Sequence, residues 1–250
     1  GMADVDSSLL YFCRKVAERH TVALSGECAD EVFGGYPWFE RSELLEADTF
    51  PWCPDLEFRR AVVKPELWES LQVEDYVQAR YQQSLAEMPA LPGEALWERR
   101  RREVGWLSLN WFMSTLLDRK DRMSMAAGLE VRVPFCDHHL VEYVWNIPWA
   151  MKAMNGQRKQ VLRDAAEGLL PEELLRRPKS PYPKTHDPLY EQLVRARLLT
   201  ILDDRDAPIH SLVDEKALRA GLLSDAGDYG KPWFGQLMAG PQMLAYLIQI

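Results

Sequence analysis

No apolar run in this 250-residue sequence is long enough to cross a bilayer. The most apolar stretch, 243–250, is far short of the roughly 20 residues a spanning helix needs. No signal peptide is expected either, because Asp4, Asp6 and Cys13 stand where a basic leader and its apolar core would lie. Cysteine is scarce. Cys13, Cys28, Cys53 and Cys136 include no C-x-x-C pair, which argues against a zinc ribbon or a thioredoxin-like motif. So few in so long a chain point to reduced thiols in a cytoplasmic protein. Among five histidines only His138 and His139 are neighbours, and adjacent residues cannot share a helix face as H-E-x-x-H ligands do. No structural metal is assigned. Basic residues are outnumbered 30 to 38, and the net charge of -8 would repel a nucleic-acid backbone. Small anions can bind only beside local cations or a metal. Repeats and low-complexity segments are absent, and the 47% hydrophobic content argues against disorder and provides for a large core in one compact unit.

What is present reads as mostly helical. Residues 6–20 suit a helix capped by Ser7 or Ser8, with Leu9, Leu10, Phe12, Cys13 and Val16 recurring on one side. Thr21-Val22-Ala23-Leu24 is a short apolar run of the kind found in a parallel strand buried on both faces, and it is the only convincing strand. Prolines at 51, 54, 65, 89 and 92 divide residues 40–93 into short helices and turns. Further helices are expected over 94–126 (one or two long ones), 137–146, 157–167, 188–203, 214–223 and 232–250. One strand makes no sheet. It must pair with a segment not recognisable as a strand or with strands of a larger α/β domain lying upstream, and the second account is preferred.

Three segments carry chemistry. The first, Ser25-Gly26-Glu27-Cys28-Ala29-Asp30-Glu31-Val32-Phe33-Gly34-Gly35-Tyr36, follows the strand directly. Ligands of open α/β sheets bind at the carboxyl ends of strands, where Glu27, Asp30 and Glu31 would lie. In isolation those acids would be read as stabilising a helix N-terminus. The second segment mixes charges of both signs over 118–122 and continues into Gly128-Leu129-Glu130-Val131-Arg132-Val133-Pro134-Phe135-Cys136-Asp137. A buried ion-pair network and a substrate pocket explain it equally well. In the third, Gly156-Gln157-Arg158-Lys159-Gln160-Val161-Leu162-Arg163, the cations of Lys159 and Arg163 at i and i+4 share a helix face. A solvated basic face is the ordinary explanation, and a phosphate site the sharper one.

In this order the three segments resemble the synthetase domain of glutamine-hydrolysing asparagine synthetases. The family's S-G-E-x-x-D-E-x-F-G-G-Y corresponds to Ser25 through Tyr36, and its R-x-D-R-x-S-M…G-L-E-V-R-V-P-F-x-D to Arg119 through Asp137. Its G-x-x-K-x-x-L-R corresponds to Gly156 through Arg163, and its R-P-K to Arg177-Pro178-Lys179. Two family features are missing. The chain starts Gly1-Met2-Ala3, without the glutaminase domain and its cysteine nucleophile, and no Ser-Gly-Gly pyrophosphate loop occurs. Asp6-Ser7-Ser8 imitates only that loop's tail and reads better as a helix cap. The resemblance therefore implies that residues 1–250 form one truncated synthetase domain. Its fold would be mostly α, part of an α/β adenine-nucleotide-hydrolase-like (PP-loop ATP pyrophosphatase) domain whose N-terminal strands are missing.

The resemblance also implies roles. In the family, ATP adenylates the side-chain carboxylate of aspartate and ammonia, derived from glutamine, attacks the acyl-adenylate. Asp30 would be a Mg²⁺–pyrophosphate ligand, and Lys159 would meet the pyrophosphate and the α-phosphate. Glu27 would position ammonia and remove its proton. Glu31 would lie near the amino-acid substrate, Gly26 would let the backbone approach it or the nucleotide, and Ser25, Asp121, Arg132 and Arg163 would complete the binding set. β-Lactam-forming relatives place Tyr where this chain has Glu27, so intermolecular amide formation is the preferred reading. Cys28 departs from the glycine common at its position. The alternatives are a specialised-metabolism amide or lactam synthetase on the same scaffold and a non-catalytic protein-binding module. The expected partners are small molecules and the missing part of the same protein, with neither nucleic acid nor membrane.

Overall fold

The computed structural model describes residues 2, 4–153, 156–180, 182, 185, 187–221, 223, 232–235 and 238–250. Gly1 and Ala3 of the chain start, Leu222 of the expected helix 214–223, and Gln236 and Leu237 of the expected helix 232–250 lie outside them. The chain divides into two compact units. One comprises Gly1–Ser8, Trp52–Tyr81 and Pro181–Ile250; the other comprises Leu9–Pro51 and Gln82–Ser180. Every residue singled out for chemistry belongs to the second.

In that second unit the predicted strand is β1 (Val22–Leu24), entered from helix α1 (Asp4–Ala17). It pairs in parallel with β2 (Glu130–Arg132), in the register Val22↔Glu130, Ala23↔Val131 and Leu24↔Arg132. The strand therefore pairs within the chain, where an upstream partner was preferred. Glu-Val-Arg alternates charge with one apolar residue over only three positions, so nothing marks it as a strand. Burial on both faces is also corrected. Ala23 and Val131 pack inward against Leu9, Cys13 and Leu129, but Val22 is 41% and Leu24 74% exposed.

Residues 96–126 form a nearly continuous helical rod, as expected. Helices α3 (Leu96–Leu107) and α4 (Met113–Ala126) are joined by a π-helical turn at Ser108–Phe112. Helix α2 (Ala29–Phe33) packs its Ala29, Val32 and Phe33 against Val144 of α5 (His138–Trp145), with Leu109, Phe135 and Val161 around them. Asp137 caps α5, its carboxylate accepting from the backbone N–H groups of His139 (2.9 Å) and Leu140 (3.3 Å). Helix α6 (Gln160–Ala165) completes the set.

The first unit is built of helices, including Pro188–Asp203, which packs on Gln242–Ile248. The C-terminal helix is shorter than expected because Gly235 (φ 60°) and Gly240 (φ 66°) take left-handed conformations ahead of it. Between Pro65 and Pro89 the chain makes a 14-residue helix, Val73–Ala86, longer than the proline spacing suggested.

Candidate active site

The loop that leaves β1 is held from several directions. The Ser25 N–H continues the parallel ladder by donating to the Arg132 carbonyl at 2.9 Å, and Ser25 Oγ accepts from the Glu27 N–H at 3.3 Å. A Cβ built at Gly26 would meet nothing within 4 Å, so the backbone there faces open space. Cys28 then takes a left-handed conformation (φ 74°), and its carbonyl accepts the first helical hydrogen bond, from Val32 at 3.0 Å. Helix α2 ends at Gly34, also left-handed (φ 71°), where a Cβ would lie 2.3 Å from the Trp149 ring.

Asp30 is the centre of the arrangement. Lys159 Nζ lies 2.7 Å from Oδ1 and Lys179 Nζ 3.1 Å from Oδ2, with all three side chains between 21% and 24% exposed. A Cβ on Gly35 would fall 1.8 Å from Asp30 Oδ1 and 2.5 Å from Lys159 Cε. The glycine is therefore what lets this ion pair close over the loop. Lys179 also donates to the Gly35 carbonyl at 3.1 Å and stands 4.2 Å above the Tyr36 ring. Burial lowers its pKa, opposed by the neighbouring Asp30 carboxylate.

Lys159 reaches Asp30 from an unusual position. It precedes α6 as its N-cap in the left-handed region (φ 57°). Among the described residues only Cys28, Gln72 and Lys159 are non-glycine residues with positive φ, and two of those three adjoin the Asp30 cluster. Such conformations cost of order 1–3 kcal/mol each and concentrate where function requires them. The expected Lys159–Arg163 face is not formed. Arg163 instead donates to the carbonyls of Arg158 (3.0 Å), Arg177 (3.2 Å) and Leu175, tying the segment that carries Lys179 to α6. Arg158 makes a bidentate pair with Glu40 at 2.8 and 2.6 Å.

Glu27 has its own partners. Lys120, 6% exposed on α4, donates to Glu27 Oε2, and Arg119 Nη2 lies 3.7 Å from Oε1. The mixed-charge segment thus meets the loop through Arg119 and Lys120. Asp121 and Arg132, by contrast, are exposed, and Arg132 pairs with Glu130 at 2.8 Å. Glu31 is 3% exposed and accepts from the Tyr36 hydroxyl at 2.6 Å. Burial raises its carboxyl pKa, with the Tyr36 hydrogen bond opposing. Sequence reasoning did not single out Arg119, Lys120 or Tyr36 as site residues. The available signal was the alternation of charges beside an apolar helix, which suggested pairing without naming partners.

Glu31, Val32 and Gly34 also border a cleft open to solvent with Arg101, Trp149 and Lys152. Burial and the nearby Arg102 push the Lys152 ammonium down to about 8. Among the described residues no group of three or more His, Cys, Asp or Glu is placed to hold a metal ion, and no helix is long and apolar enough to cross a membrane.

The cysteine expectation is corrected here. Cys13 and Cys53 are free thiols, but Cys28 and Cys136 form a disulfide with Cα atoms 5.9 Å apart. Their sequence separation of 108 hides them from any spacing rule, yet it equals the offset of the strand register that pairs Leu24 with Arg132. Each cysteine lies four residues beyond its strand, and parallel pairing brings the two exits together.

The asparagine synthase family profile matches residues 1–247. Asparagine synthetase [glutamine-hydrolyzing] 3 of Bacillus subtilis (strain 168) is 52% identical over 250 residues, covering 100% of this chain and 40% of the relative. Asparagine synthetase [glutamine-hydrolyzing] 1 of the same organism is 30% identical over 214 residues, 73% of this chain and 34% of the relative. The glutamine-hydrolysing asparagine synthetase of Mesocricetus auratus is 45% identical over 67 residues, 26% of this chain and 12% of the relative. The chain thus spans well under half the length of these relatives, and a match this long and ordered establishes that it belongs to the asparagine synthase family.

Proposed function

We propose that this chain carries the carboxylate-activating site of an ATP-dependent amide ligase. A carboxylate, with aspartate the first candidate, attacks the α-phosphorus of ATP and releases pyrophosphate, and ammonia then displaces AMP from the acyl-adenylate. The observation that carries this reading is Asp30 held between Lys159 and Lys179 under a glycine that leaves them room. A carboxylate approaching a triphosphate is repelled, and two ammonium groups fixed in advance offset that charge without reorganising during the reaction.

Asp30, whose Oδ1 and Oδ2 meet Lys159 and Lys179, is the carboxylate that would hold a Mg²⁺ ion arriving with the nucleotide. Bound with the nucleotide at Asp30, Mg²⁺ would screen phosphate charge as a Lewis acid. Lys159 and Lys179 would hold the pyrophosphate oxygens, and Asp30 keeps both ammonium groups in place before the nucleotide arrives. Glu27 would receive the ammonia proton, with Lys120 and Arg119 fixing its carboxylate. A carboxylate at this position, where β-lactam-forming relatives carry Tyr, supports an external amine over ring closure. Open space at Gly26 supports close approach of a ligand to the backbone. Parallel sheets are covered on both faces, so the exposure of Val22 and Leu24, which share one face, supports a further layer of a PP-loop α/β fold over β1 and β2. Aqueous, cytoplasmic substrates and ammonia drawn from glutamine complete the reading.

The test is pyrophosphate release from ATP with aspartate, ammonium and Mg²⁺, using the polypeptide of the complete reading frame. Lys159→Ala should lower the rate by about 10²–10³. A Lys159→Ala protein that matches the parent rate overturns the assignment.

A further inference from the structure

We propose that Cys28 and Cys136 form a reversible dithiol–disulfide switch that sets the shape of the loop carrying Glu27 and Asp30. The proposal rests on the preceding reading only for its consequence in catalysis; the switch itself is a property of the loop. Cys28 stands between the two carboxylates and is held in the left-handed region at φ 74°. For a side-chain-bearing residue that region is disfavoured roughly five- to thirtyfold against the right-handed basin. The bond to Cys136 keeps Cys28 there from outside the loop. Because the Cys28 carbonyl accepts the hydrogen bond that starts α2, a change in its backbone turns the first residues of that helix, including Asp30, relative to Glu27.

The two sulfurs differ in access. Cys28 is 3% exposed, whereas Cys136 is only half-buried, so exchange enters at Cys136. In the oxidising direction the Cys136 thiolate attacks a low-molecular-weight disulfide, RSSR, giving a mixed disulfide and one RS⁻. The Cys28 thiolate then attacks the Cys136 sulfur and displaces the second RS⁻. Two thiol protons and two electrons pass to RSSR, which leaves as two RSH. Reduction runs the same steps backward, an external thiolate attacking Cys136 with Cys28 as the leaving thiolate. Cys13 and Cys53, free in the same chain, are internal references that remain thiols.

The experiment equilibrates the chain in glutathione buffers of stepped oxidised-to-reduced ratio and traps free thiols by alkylation. Linked peptides are then mapped, and backbone hydrogen exchange is measured over 25–36. The expected result is a Cys28–Cys136 linked peptide that rises and falls reversibly with the ratio, and exchange about five- to thirtyfold faster in the reduced form. Cys136→Ser should show the fast exchange in every buffer, and Cys28→Gly should lose all redox dependence. If either variant fails to fold, the other carries the comparison. Absence of the linked peptide at every ratio, or linkage with identical exchange in both forms, overturns the proposal. A redox-dependent loop in a complete protein that releases no pyrophosphate supports the switch and overturns the adenylation reading instead, so the two failures are distinguishable.

Discussion

Replacing Gly35 by Ala tests the site where geometry constrains it most. The added methyl would sit 1.8 Å from Asp30 Oδ1 and 2.5 Å from Lys159 Cε. A carbon–oxygen contact relaxes at about 3.3 Å, so the carboxylate must retreat by about 1.5 Å. A retreat of that size breaks the 2.7 Å contact with Lys159, the 3.1 Å contact with Lys179, or both. Gly35 is not among the residues with positive φ, so the backbone accepts alanine and the effect is steric. Overpacking costs about 1–3 kcal/mol. The ion pairs are about a quarter exposed, and their loss adds of order 1 kcal/mol after solvent screening. The sum, about 2–4 kcal/mol, should lower the melting temperature by roughly 4–16 °C in a chain of this size. Gly26→Ala is the control for stability. Its Cβ meets nothing within 4 Å, so stability should stay within about 0.5 kcal/mol of the parent. Any loss of affinity for Mg-ATP in Gly26→Ala then reports contact with the ligand. Thermal unfolding and calorimetric titration with Mg-ATP or inorganic pyrophosphate read both variants. Parental stability in Gly35→Ala, with binding still dependent on Lys159, would refute the reasoning.

Lys152→Met should stabilise the protein at pH 7. The folded-state pKa of about 8 lies below the ordinary 10.5, a difference worth about 3 kcal/mol. Between those values the unfolded chain holds more protons, so the parent gains stability as pH rises from 8 to 10.5, and the mutant's advantage should fade across that window. Urea unfolding at pH 7 and pH 10 checks this, and a mutant no more stable than the parent at pH 7 contradicts it. Reducing the Cys28–Cys136 disulfide opens a loop of 108 residues and should cost about 2–4 kcal/mol, read as a lower melting temperature with dithiothreitol. In the reducing buffer Cys28→Gly should exceed the parent by about 1 kcal/mol, because glycine occupies φ 74° without strain. Equal melting temperatures in the two buffers would contradict the first expectation. Residues 1–250 contain no Ser-Gly-Gly loop to present backbone donors to a triphosphate, so the chain alone should release no pyrophosphate from ATP. Turnover abolished by Lys159→Ala would show that a complete adenylation site exists without that loop.

Elements whose local signals agree were legible in the sequence, and β2 was not. Residues 188–203 are a helix over the whole expected span, with Asp187 accepting from the Leu189 N–H at 2.9 Å, because cap, proline and apolar spacing all agree there. β2 carries no such agreement. Its three residues are strand only because β1 lies beside them, a tertiary cause that no local window contains. The disulfide follows from the same pairing and was hidden for the same reason.

The site divides along a similar line. Asp30, Glu27 and Lys159 stand at fixed offsets from glycines and from a strand end, and those offsets are written in the chain. Their partners are set by which helix packs where. Lys120 reaches Glu27 because α4 runs past the end of β1, and Lys179 reaches Asp30 because Arg163 gathers the carbonyls of Leu175 and Arg177. Arg163 therefore holds the segment that brings Lys179 to Asp30 instead of sharing a helix face with Lys159. Losing Arg163 would act through Lys179, whereas losing Lys159 removes a charge from Asp30 directly. The two cations that sequence spacing placed on one helix face are thus parted by the left-handed turn at Lys159, which sends its side chain away from α6 and onto Asp30.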